Sequence, residues 1–62
     1  MVIIMSDMAF EILEQLKENP NFYFSSDAII KDQQRNAIEE LENNGYIIVE
    51  ANSVGYVIVK VL

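Results

Sequence analysis

Apolar residues recur along this chain with two periods. Ala9, Ile12, Leu13 and Leu16 fall at i, i+3, i+4 and i+7, the spacing that puts four side chains on one face of an α-helix. Ser6 stands where an N-cap accepts backbone hydrogen bonds, Asp7 is an acid in the first turn, and Lys17 is a cation in the last. Asn19-Pro20 ends the helix, because proline pushes the residue before it out of helical geometry. Near the other end of the chain, Tyr46–Ala51 and Tyr56–Leu62 are β-branched and aromatic runs joined by Asn52-Ser53-Val54-Gly55. They predict a β-hairpin, with Gly55 at a site expected to need a positive φ. Phe22-Tyr23-Phe24 alternates and reads as a small strand or an extended plug into the core. Met1–Met5, apolar and β-branched in its middle, fits either a short added strand or a sticky terminal arm, and periodicity does not separate the two.

The span from Asp27 to Asn44 admits two readings. Ile30, Gln34, Ala37, Ile38 and Leu41 keep nearly one stripe, which favours a single helix. Asp32, however, can cap a new helix, and Asp and Asn are poor residues for a helix interior. These tip the expectation toward a short helix from Asp27 to about Lys31, a turn, and a second helix. Ser25-Ser26-Asp27 supplies the cap on either reading, and Asn44-Gly45 supplies the left-handed residue with which helices commonly end. Together the elements predict an α+β domain, two or three helices packed on a C-terminal β-hairpin, with a short N-terminal strand as an optional addition.

Length limits this to one core: no Gly/Pro/Ser-rich stretch divides the 62 residues, so a single domain spans 1–62. A chain of this size buries only about 60% of the surface its unfolded form exposes, so its stability margin is thin and self-association would add to it. Cysteine is absent, which excludes a disulfide framework and a thiolate metal site and suits a reducing, cytoplasmic setting. The longest apolar run, Met1 to Met5, is far short of the roughly 20 residues of a membrane helix and of a secretory signal. A soluble protein with no membrane partner is expected. Four Lys+Arg against ten Asp+Glu give −6 at pH 7. That balance repels phosphate backbones and anionic lipid, leaving basic or neutral protein surfaces as the easier partners.

Both faces of the hairpin are largely apolar. Glu50 and Lys60 interrupt the runs, and are placed where they can face one another across the ribbon. The helices of so short a chain cover only one face well, so the other face, or an edge, is expected to be a contact surface. Val2, Ile3 and Ile4 at one end, and Val57, Val59, Val61 and Leu62 at the other, are expected to carry protein contacts or self-association. They would act by strand pairing or by burying the uncovered face. The competing reading is intramolecular packing, with the N-terminal arm as a third strand.

The stretch from Arg35 to Val49, with Leu41, Glu42, Gly45, Tyr46 and Ile47 at its marked places and the hairpin after it, resembles the third helix and wing of winged-helix proteins. The amphipathic helix from Ser6 to Glu18 stands where that family's first helix would. The span between Ser26 and Gln34 is short for the family's second helix and turn, which are therefore shortened or missing. The resemblance implies a regulatory binding module in which the start of the third helix, here Lys31, Gln33, Gln34, Arg35 and Asn36, meets the major groove, with Lys60 as a further cation. Such side chains contact guanine and adenine edges. A solvated helix start is the commoner use of such residues, and the wing tip, Asn52 to Gly55, carries no charge.

Other candidates carry less. Glu11, Glu14 and Glu18 form an acidic stripe on the first helix, ordinary for a solvent face, and no metal is assigned. Ser25, Ser26 and Ser53 have no imidazole to activate them, since the chain has no histidine. Gly45 and Gly55 are isolated, so no phosphate loop is present. Met1, Met5 and Met8 suit gap filling in a core more than an adaptable contact. The expectation is a non-catalytic module without cofactor or small-molecule substrate, bound to a protein partner and self-associating. The alternative is a dimeric sequence-specific DNA-binding regulator.

Overall fold

Residues 6–62 are described by the computed structural model. The first helix, α1 (Asp7–Glu18), begins where its cap predicts: the Ser6 side chain accepts from the Ala9 N–H at 3.2 Å. It ends at Asn19, held extended before Pro20; the Asn19 Oδ1 accepts from the Asn21 N–H and turns the chain into β1 (Asn21–Tyr23). Val2, Ile3, Ile4 and the optional N-terminal strand lie outside the described residues.

The expected break after Lys31 does not occur. Ala28–Asn43 forms one continuous helix, α2. Asp27 caps it, its carboxylate accepting from the Ile29 and Ile30 N–H groups at 2.9 and 3.1 Å. Asp32 is exposed, where an aspartate costs a helix interior less than about 0.7 kcal/mol. Gln34 then uses its side chain to accept from the Ser25 N–H at 2.8 Å, fixing the incoming loop to the second turn of the helix. At the other end Gly45 takes φ +80, and the Gly45 and Tyr46 N–H groups return to the Glu42 and Leu41 carbonyls, satisfying groups the last turn leaves open.

Strands β2 (Ile47–Asn52) and β3 (Tyr56–Val61) form the hairpin, and β1 adds to the far side of β3, giving an antiparallel sheet ordered β1-β3-β2. Lys60 pairs with Ile48 and not with the glutamate, and a β-bulge between Val49 and Ala51 leaves Glu50 unpaired. Gly55 does not adopt the expected positive φ; among the described residues Gly45 alone does.

Both helices pack on one side of the sheet. Ala9, Ile12, Leu13 and Leu16 meet Ala37, Ile38 and Leu41 over Phe22, Ile47, Val57 and Val59. Phe24 joins the edge of this core with its ring 5.5 Å from that of Phe22, edge to face. The result is a small α+β domain of two helices on a three-stranded sheet. Among the described residues no helix is long and apolar enough to cross a membrane.

Candidate interaction surface

Period two divides β3 into an inner and an outer set. Val57 and Val59 are buried and Val61 half-buried, whereas Tyr56 and Lys60 are exposed. The register carries this division across the sheet: Tyr23 pairs with Tyr56, Asn21 and Ala51 with Ile58, and Ile48 with Lys60. Tyr23, Ile48, Tyr56, Ile58 and Leu62 therefore share the side away from the helices, and Tyr46 lies beside Leu62, accepting its N–H at 3.0 Å. Tyr23 is 68% exposed, Ile48 49% and Leu62 65%. The Tyr23 and Tyr56 rings lie 6.1 Å apart at one end of this face, and Ile48 and Leu62 join Tyr46 at the other. No element among the described residues covers it.

Val57 and Val59 were expected at a contact surface, and their burial corrects that expectation: they belong to the core set, facing the helices. Val61 is half-buried and packs against the same core, and of the four C-terminal candidates Leu62 alone is exposed on the outer side. Tyr23, Ile48, Tyr56 and Ile58 were not singled out from the sequence. The signal was present in Lys60: a lysine in the 56-58-60 set marks that set as the wet one, because its ammonium stays in water.

The residues at the start of α2 divide. Gln33 and Asn36 are exposed and Lys31 is half-buried, but Gln34 is committed to Ser25 and Arg35 to the hairpin. The Arg35 guanidinium donates to the Asn52 side chain at 3.2 Å and to the Ser53 and Val54 carbonyls at 2.9 and 3.0 Å, and it lies 4.5 Å over the Phe24 ring. The arginine thus closes the β2–β3 loop from outside. Lys60 projects from the opposite side of the sheet, so Lys31, Arg35 and Lys60 form no common cationic ridge.

Charge is segregated in the same way. Nine carboxylates and three cations lie on the helices and their caps, which accounts for the whole of the chain's −6, while the sheet carries only Glu50 and Lys60. Glu40 is used internally, accepting from the Ser6 N–H and hydroxyl at 3.0 and 3.2 Å. The Lys17–Glu14 pair at 3.3 Å is exposed on both sides and worth little. Among the described residues no group of three or more acidic side chains is placed to hold a metal ion.

Two open grooves flank the helices. One, of about 370 Å³, runs past Met8, Asn19 and Phe22; the other, of about 460 Å³, runs past Arg35, Glu39 and Val49. Neither pairs a nucleophile with a base. No family model, curated protein or solved structure matches the chain.

Proposed function

We propose that this domain is a non-catalytic, winged-helix-like regulatory module that acts through protein–protein contacts, self-association included. The observation that carries the reading is the uncovered outer face of the sheet. It is apolar and aromatic, has no net charge, and is set on a molecule whose other side holds the whole of the net negative charge. Exposed apolar surface of this kind, enriched in tyrosine, is typical of protein contact sites. The order that prompted the resemblance is present as α2 followed by β2 and β3, with α1 in the place of the first helix. Because α2 is continuous, no separate second helix and turn precedes it, which weighs against major-groove reading. The commitment of Gln34 and Arg35 to internal contacts weighs the same way.

A titration against random duplex DNA tests the choice. No measurable binding is expected even at low salt. Tight binding that falls steeply with salt, the signature of counterion release from phosphates, would make the module a DNA-binding regulator instead.

A further inference from the structure

We infer that the occupant of the outer sheet face is a second copy of this chain, docked face to face about a two-fold axis that places Glu50 of each protomer against Lys60 of the other. The inference rests on the reading that this face docks protein, and it names the partner and the register.

Charge selects the partner. The sheet of each protomer is neutral: Glu50 and Lys60 border one shallow depression with no salt bridge between them, and the third charge on its rim, Lys17 of α1, is paired with Glu14. A two-fold axis in the contact plane, bisecting the line from Glu50 to Lys60, turns that dipole into two reciprocal ion pairs. Stacked sheets lie about 10 Å apart, with each helical layer about 10 Å behind its own sheet. The acidic layers therefore end up roughly 30 Å from one another, beyond the screening length of about 8 Å at physiological salt. Docking through the helices would instead press one acidic layer on the other.

Strand pairing is the competing way for two copies to meet, and the edges oppose it. β1 offers only three residues, and the bulge at Glu50 interrupts β2. Lys60 lies at the level of Ile48, and Glu50 lies between the levels of Val59 and Ile58. The line from Glu50 to Lys60 runs about 5 Å across the strands and about 5 Å along them, so the axis that bisects it crosses the strands of the two copies at a steep angle and passes close to Ile48. Three strands of up to six residues give a face of about 14 by 20 Å, small beside the roughly 800 Å² per partner of a standard interface. The dimer is accordingly weak and exchanging, populated at high micromolar concentration.

The test is sedimentation equilibrium across that concentration range with exposed-residue variants. Glu50→Lys and Lys60→Glu each set like charges together twice per dimer, and each alone is expected to weaken association by at least roughly tenfold. Mixed one to one, the two variants are expected to form a heterodimer at least as tight as the wild-type dimer. Isotope-filtered NOEs should join the Ile48 methyls of the two copies. Ile48→Glu should leave the fold intact and abolish the dimer. A wild-type monomer at every concentration would overturn self-association itself. A wild-type dimer that Ile48→Glu breaks, but whose charge variants neither weaken alone nor recombine when mixed, would leave the docking face standing and overturn the two-fold register. A dimer indifferent to all three substitutions would overturn the face.

Discussion

Arg35→Ala is expected to loosen the hairpin loop specifically and to destabilise the domain by about 2 kcal/mol. The loop from Ser53 to Gly55 has one backbone bond of its own, from the Ser53 N–H to the Tyr56 carbonyl at 2.9 Å, and no left-handed glycine to set its turn. The Gly55 carbonyl also accepts from the Phe24 N–H at 3.0 Å, and the side-chain restraint comes from the guanidinium, through its bonds to Asn52, Ser53 and Val54 and its seat on Phe24. At a half-exposed site each hydrogen bond is worth roughly 0.5 kcal/mol and the ring contact roughly 0.5–1 kcal/mol, which together give about 2 kcal/mol. For so small a domain that lowers Tm by roughly 8–16 °C. Arg35→Lys keeps the charge but loses the planar fork that spans two carbonyls, so it should recover at most half of the loss. Urea unfolding measures the energy, and heteronuclear NOEs at Ser53, Val54 and Gly55 measure the loop, where a fall into the mobile range is expected. A loss below about 0.5 kcal/mol with unchanged NOEs would refute the clamp and assign the loop conformation to its own backbone bond.

Two further substitutions probe the scaffold. Leu41 is fully buried where α2 meets the sheet, so Leu41→Ala should cost about 2–5 kcal/mol, a large part of the roughly 3–9 kcal/mol available to a domain of this length. Urea titration followed by far-ultraviolet circular dichroism should show a shortened or absent native baseline, and a cost below about 1 kcal/mol would mean that the core refills the space. Gly45 has φ +80 and no atom within 4 Å of an added Cβ, so Gly45→Ala should cost about 1 kcal/mol through the backbone alone, and Gly45→Asn less. Equal melting temperatures for wild type and Gly45→Ala would contradict that account.

Features that depend on neighbours in sequence were legible, and those that depend on distant partners were not. The cap at Ser6, the stop at Pro20, the left-handed Gly45 and the apolar stripe of α1 each follow from residues within one or two turns of each other. The continuity of α2 is a closer case. Local propensity at Asp32 argued for a break by a few tenths of a kcal/mol, and it lost to a restraint from outside the helix, the Ser25 N–H held by Gln34. The hairpin shows the limit most clearly. Val57, Val59 and Val61 on one side and Tyr56 and Ile58 on the other are almost equally apolar, so hydropathy alone does not say which set faces the helices. The lysine at 60 decides it by keeping its ammonium in water, while the bulge at Glu50, which no sequence period announces, shifts the pairing of β2 beyond it by one residue. Arg35 is the converse. Its position at the start of a helix suggested a side chain reaching outward to a ligand, yet a guanidinium within reach of two loop carbonyls and a phenyl ring lowers its free energy by staying home. The cation best suited to bind phosphate is thereby spent on the fold. What the chain leaves open is the outer face of its sheet, to which the proposed contact is assigned.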